Sequence, residues 1–310
     1  GVALSESGRY KESLECYFRA IKLDGYYADP YSNLAVAYSM LNEIDKAIDA
    51  LRNAIHIYPD YPEAYNNLGT LLIQKGKHKE AEESLKEAIK LRGYYGKAHY
   101  NLARLYEEQG LMEKSWTSLK AAVEGDLDIP EAYFKLGQLS LKMQKYAEAV
   151  SAFEWVINHG EGQDQVWFNL ANSFYMLGEQ EKAKEIYERL AKNNPLDGRY
   201  IYNLGEAYFA KNEYEKALLC FQKAVSLPQP IAQSFFRVAV CLEQLNKLDE
   251  ARSFLQQLTT AEATDEFKKA LNSEIGRLEL KRQVQAGNGT ITLTQLKNTL
   301  SGKIAPVKQS

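Results

Sequence analysis

Cysteine is scarce in this 310-residue chain: Cys16, Cys220 and Cys241 are odd in number and lack metal-type spacing. They read as reduced thiols in helical packing layers. Histidine is nearly as rare. His56, His78, His99 and His159 find no second ligand at helical spacing, so no metal centre is expected. An excess of basic charge is missing too: the formal net charge is −3, which gives no field to draw in a polyanion, and no nucleic-acid partner is expected. No run approaches the roughly eighteen apolar residues that a membrane span requires. A secretory signal is likewise not visible, although the chain opens on Gly1 rather than Met, and a cytoplasmic location is the expectation. What remains is ordinary for a folded chain, with 45% hydrophobic and 25% charged residues.

The informative presence is a period. "NLG" or "NLA" begins at residues 33, 67, 101, 169 and 203, all separated by multiples of 34. With position 1 of each unit at Ala28, Pro62, Gly96, Pro130, Asp164, Gly198 and Ala232, seven units run to residue 265 without insertion or deletion. Position 8 is always Ala or Gly, from Ala35 to Ala239, and position 20 is Ala or Ser, from Ala47 to Ala251. Small residues there let two backbones approach closely. Apolar residues at positions 4, 7 and 11, as in Tyr65, Leu68 and Leu72, share one helical face, and positions 20, 24 and 27, as in Ala81, Leu85 and Ala88, form a second stripe. Between the stripes, position 15 is mostly Gly or Asn, which tolerate the left-handed conformation that ends a helix. Each unit is therefore predicted to be helix, turn, helix.

Tyr133, Leu136, Gly137, Tyr146, Ala149 and Phe153 display the fullest version of a pattern that resembles the tetratricopeptide repeat (TPR). One hairpin cannot bury both stripes, so neighbours must stack. The expected fold class is an all-α solenoid of antiparallel helix pairs. Its right-handed superhelical form, with first helices lining a concave face, is what the resemblance implies. The expected organisation is a partial repeat over 1–27, seven repeats over 28–265, a capping helix over 266–285 and a basic tail or linker over 286–310. In the backward register Gly1 occupies position 8 and Gly8 the turn, which reads as a chain that starts inside a repeat. Thr264 is a candidate helix cap, and Phe267, Leu271, Ile275 and Leu278 form a stripe suited to closing the last repeat, with Lys268, Lys269, Glu274 and Arg277 facing outward. In the tail, Leu293, Leu296 and Leu300 are spaced for a short amphipathic helix, so the tail is either a loose linker or a docking and self-association element.

No catalytic constellation emerges. "GEGQDQ" at 160–165 lacks the third glycine of a dinucleotide loop and reads as an inter-repeat turn. The carboxylates of "KEAEESLKEAIK" alternate with lysines as a solvated face rather than an acid and base sharing a cleft. The chain is expected to be non-enzymatic and to need no cofactor.

Function is expected where packing leaves the first helices free, at positions 2, 5, 6, 9, 12 and 13. Position 6 carries Asn33, Asn67, Asn101, Lys135, Asn169, Asn203 and Arg237, and position 5 carries the aromatics Tyr100, Phe134, Phe168, Tyr202 and Phe236; position 12 adds Tyr175 and Phe209. A carboxamide offers an acceptor and two donors, enough to hold both polar groups of a peptide unit. The row resembles the asparagine ladder of the O-linked N-acetylglucosamine transferase repeat superhelix, from which Lys135 and Arg237 depart toward carboxylate selection. Position 5 either offers apolar contacts to a ligand or leans on the neighbouring helix as packing. The carboxylate clamp for chaperone C-termini is not matched, since Phe134 and Gln138 stand where it needs Lys and Asn. The expected role is a scaffold or adaptor that binds a partner protein or peptide in the concave groove. The alternatives are the substrate-recruiting arm of a larger enzyme such as a glycosyltransferase, or a self-assembling scaffold.

Overall fold

The computed structural model describes residues 1–125, 129–259 and 264–285. Among these residues there are seventeen α-helices and no strand. After α1 (Val2–Glu6) and α2 (Tyr10–Leu23) come seven hairpins: α3 (Ala28–Met40) and α4 (Ile44–Ile57), α5 (Pro62–Gln74) and α6 (His78–Leu91), α7 (Gly96–Glu108) and α8 (Met112–Glu124), α9 (Pro130–Lys142) and α10 (Tyr146–Asn158), α11 (Asp164–Met176) and α12 (Gln180–Asn193), α13 (Gly198–Ala210) and α14 (Tyr214–Ser226), α15 (Ala232–Gln244) and α16 (Leu248–Thr259). Helix α17 (Asp265–Gln285) follows. Every first helix starts on the position 1 set by the sequence period. The chain divides into two compact units, Gly1–Asn169 and Leu170–Ser310, with the division inside α11.

The turn between the two helices of each repeat is where the period is enforced. Position 15 has positive φ throughout: 61° at Asn42, 69° at Gly76, 71° at Gly110, 60° at Gln144, 83° at Gly178 and 60° at Asn212 and Asn246. The following N–H reaches back to a carbonyl in the last turn, as in Glu43 to Tyr38 at 2.8 Å and Lys145 to Ser140 at 2.8 Å. That six-to-one closure satisfies carbonyls which the helix end would otherwise orphan. Gln144 does this without glycine's freedom or asparagine's tolerance.

Within Gly1–Asn169, α3 packs on α4, α5 on α6, α7 on α8 and α9 on α10, and each hairpin packs on the next. The small residues sit where the helices touch. A Cβ on Gly69 would lie 2.6 Å from Leu85 Cγ, and one on Gly137 would lie 2.6 Å from Phe153 Cε1. Ala47, Ala81 and Ala149 are fully buried on the opposite side of the same contact. Within Leu170–Ser310 the rule repeats, with Gly205 held against Phe221 and Ala183, Ala217 and Ala251 buried.

Helix α17 opens on Thr264, whose Oγ1 accepts from Phe267 N–H at 3.3 Å. Leu271 and Leu278 are buried, and Phe267 and Ile275 pack beside them against the last repeat. One expectation changes here. Glu274 and Arg277 do not face outward: they are half-buried, because Arg277 turns back to Glu243 on α15. Residues 286–310, with Leu293, Leu296 and Leu300, lie outside the described residues, as do 126–128 and 260–263.

Candidate functional site on the first helices

Side chains at positions 5 and 6 meet either a neighbouring first helix, as Asn101 does Asn66, or the second helix of their own repeat, as Phe134 does Phe153 and Tyr202 does Phe221. In Gly1–Asn169 the connection is made by amides. Asn101 Nδ2 donates to Asn66 Oδ1 at 2.8 Å, and Asn66 Nδ2 donates to Asn67 Oδ1 at 3.3 Å. Asn66 is buried, whereas Asn33, Asn67 and Asn101 are half-buried. The chain of bonds leaves Asn67 Nδ2 and Asn101 Oδ1 without a protein partner among the described residues: one donor and one acceptor, on adjacent repeats. Asn169 is buried and accepts from Gln165 Nε2 at 3.2 Å.

The aromatics beside this row are also half-buried. Phe134 meets the ring of Phe153 edge-on at 5.9 Å. Tyr100 donates its hydroxyl to Glu131 at 2.6 Å, and burial, then that carboxylate, pushes its phenol far above the ordinary range. Lys135 lies 5.8 Å from the Tyr100 ring centroid and 3.7 Å from Glu107 Oε2. Phe168, on α11, is half-buried as well.

In Leu170–Ser310 the same positions build a more charged face. Arg237 pairs with Glu206, whose side chain is 12% exposed, and its guanidinium lies 4.9 Å from the Phe209 ring centroid. Burial, then the charge of Glu206, lifts the Tyr202 phenol to about 12. Tyr202 leans on Phe221 at 5.5 Å and Phe236 on Phe267 at 5.6 Å. Tyr175 and Phe209 are half-buried, and Asn203 donates to the Arg199 carbonyl at 2.9 Å, one turn back on its own helix. Two shallow depressions in this unit lie elsewhere, one at the 178–182 turn with Lys211 and one between loops 193–199 and 229–231.

Sequence reasoning assigned Lys135 and Arg237 to capturing acidic groups, but each already faces a carboxylate of its own fold. Position 5 combines the two readings open to it, since Phe134 and Tyr202 are half-supported by packing and half-accessible. Two members of the face were missed. Asn66 is the shared link of the amide row, signalled only by its place beside Asn67. Glu243 is buried and accepts from Arg277 Nη1 at 3.1 Å and Lys281 Nζ at 2.6 Å; its position 12 in the last repeat was the available signal.

Among the described residues, no group of three or more His, Cys, Asp or Glu is placed to hold a metal, and no helix is long and apolar enough to cross a membrane. Family models for the tetratricopeptide repeat match residues 1–42, 42–90, 96–126, 134–197, 168–234 and 202–266. The chain belongs to the tetratricopeptide repeat family. The repeats make its architecture that of a protein-interaction scaffold. Solved TPR structures share the fold. The chain is similar to YrrB, a TPR protein described with an unusual peptide-binding site, at 23% identity and TM-score 0.51, over 61% of this chain and 98% of that one. It is similar to the C-terminal part of a TPR repeat-containing protein from Cytophaga hutchinsonii at 16% identity and TM-score 0.56, over 76% and 96%. A third similarity is to a chain of the Naa15/Naa10 assembly bound to HypK-THB, at 15% identity and TM-score 0.61, over 88% of this chain and 44% of that one. No curated protein sequence matches the chain.

Proposed function

We propose that this TPR chain is a non-catalytic scaffold that binds an extended polypeptide segment along its first-helix faces. The observation that carries the reading is the pairing, on neighbouring repeats, of an open amide donor at Asn67 with an open amide acceptor at Asn101, flanked by the half-exposed Tyr100 and Phe134 rings. A peptide backbone offers the complementary acceptor and donor, and its apolar side chains find the rings. The peptide-binding site attributed to YrrB, a fold neighbour, is consistent with this use. Lys135 and Arg237 act here as fixed parts of the face, held by Glu107 and Glu206, rather than as free cations seeking carboxylates.

The test is selection from a random linear-peptide display library. Wild-type protein is expected to enrich a family of segments with apolar residues, and Asn67→Ala with Phe134→Ala is expected to lose that enrichment while its helical content and thermal midpoint stay close to wild type. Undiminished enrichment by the variant refutes the assignment of these residues. Loss of binding in proportion to loss of fold would make them structural.

A further inference from the structure

A second group of exposed rings in Gly1–Asn169 lies on the loops that join one repeat to the next. There Tyr26 is 90% exposed, Tyr94 81%, Tyr58 52% and Tyr27 51%. Tyr26 and Tyr94 occupy the same position in their repeats, as do Tyr27, Tyr61 and Tyr95. Large rings left open to water at repeated positions are the informative kind of exposure, because the fold gains little from them. Around the first two of these loops the chain is acidic: residues 24–30 and 58–63 contain Asp24, Asp29, Asp60 and Glu63 and no Lys or Arg.

The third loop shows what such a setting accommodates. Arg92 lies with its guanidinium 4.9 Å from the Tyr95 ring centroid while donating to Glu63 Oε1 at 3.1 Å. One repeat earlier, Asp29 takes the place of Glu63 and Tyr61 that of Tyr95, with the Tyr61 hydroxyl donating to Asp29 at 3.1 Å. The place of Arg92 is taken by Tyr58, whose ring stands 5.9 Å from Tyr61 and tilted to it by 48°. Ring and carboxylate are both kept, and the cation is replaced by another ring.

We propose that this tyrosine edge, centred on Tyr26, Tyr58 and Tyr94, docks an arginine-rich segment of a partner protein. At Tyr26 and Tyr58 a guanidinium lies on the tyrosine face with Asp24 or Asp60 as counter-ion, as Arg92 lies on Tyr95 beside Glu63, and Tyr94 adds a ring without an acidic neighbour in its own loop. Arginine suits the site better than lysine because its planar group stacks on a ring while its edge still donates to a carboxylate. A proline-rich helix also favours aromatic edges, but it brings no charge to meet the negative charges of Asp24, Asp29 and Asp60, the first two of which accept hydrogen bonds only from neutral donors.

The probe is a fluorescein-labelled octa-arginine peptide, titrated by anisotropy at about 0.15 M salt, where long-range attraction to the net negative chain is largely screened. Saturable binding is expected, weakened at least about tenfold by Tyr26→Ala, Tyr58→Ala and Tyr94→Ala combined and retained by the corresponding three Phe substitutions. Asp24→Asn with Asp60→Asn should weaken it about threefold or more without touching a ring. This pair also serves if the alanine triple does not fold. Asn67→Ala with Phe134→Ala should leave octa-arginine binding unchanged, which separates this edge from the first-helix face. Equal affinity of wild type and the folded alanine triple, no effect of the aspartate pair, or equally tight binding of a labelled uncharged proline-rich peptide would overturn the proposal.

Discussion

Gly137→Ala tests how the second helix of a repeat is seated. The added Cβ would fall 2.6 Å from Cε1 and 2.7 Å from Cζ of Phe153, a ring with no exposed surface and hence no room to swing away. Overpacking of this kind costs about 1–3 kcal/mol, and alanine's better helix propensity returns about 1 kcal/mol, so the net loss should be between zero and about 2 kcal/mol. Phe153→Leu alone leaves space beneath Phe134 and should cost about 1–2 kcal/mol. The combination is different, because Ala35 with Leu51, Ala103 with Leu119 and Ala239 with Leu255 already show alanine and leucine at these two positions in other repeats. The double variant should therefore recover at least about 1 kcal/mol relative to the sum of the singles. Repeat arrays do not unfold as one unit, so the readout should be local: amide hydrogen exchange in α9 and α10, alongside thermal melting. Additive effects within about 0.3 kcal/mol would refute the claim that these two side chains set the helix separation.

Three other outcomes follow from separate features. Gln144 adopts φ 60° without being Gly or Asn, so Gln144→Gly should stabilise the chain by about 1 kcal/mol in a denaturant titration, while Gly110→Ala should lower stability by a similar amount. Thr264→Ala should cost about 1 kcal/mol and speed amide exchange in the first turn of α17, since Thr264 Oγ1 accepts from Phe267 N–H. Glu243 should make the seating of α17 acid-sensitive. Burial alone would raise its carboxyl pKa, but hydrogen bonds from Arg277 and Lys281 hold it below the usual range. Its stabilisation is complete above the unfolded-state value of about 4.3 and is lost as pH falls through the lower folded-state value. Amide exchange in α17 measured against pH should show this loss, and Glu243→Gln should flatten it.

Much of the architecture was legible because it is written in steric terms that repeat. A glycine or alanine at position 8 has one physical reason, close helix contact, and that reason holds whether the partner is Leu85 or Phe153. The left-handed turn was legible from glycine and asparagine for a similar reason, and Gln144 adopted it through the register imposed by its neighbours. The face was less legible, because a side chain's position on a helix does not reveal its hydrogen-bond partners. Arg237 looked like a free cation until Glu206, one repeat back, was seen beside it. Asn66 carried an ambiguity of the same kind: its amide fits a solvent-facing row and a buried link equally well, and only the 2.8 Å contact with Asn101 decides between them. Arg277 was assigned outward by helical periodicity, which has no means of weighing the pull of a buried Glu243.

The Asn101 to Asn66 bond has a consequence for how a bound segment would be measured. A hydrogen bond between first helices restricts the rotamers of both amides at once, so the distance between the open groups of Asn67 and Asn101 is held by the protein's own bonding. In the proposed binding mode such a face would act as a ruler with fixed graduations. A strand whose peptide units match the interval can engage both rungs at once, while one that is compressed or kinked loses a rung whatever its sequence.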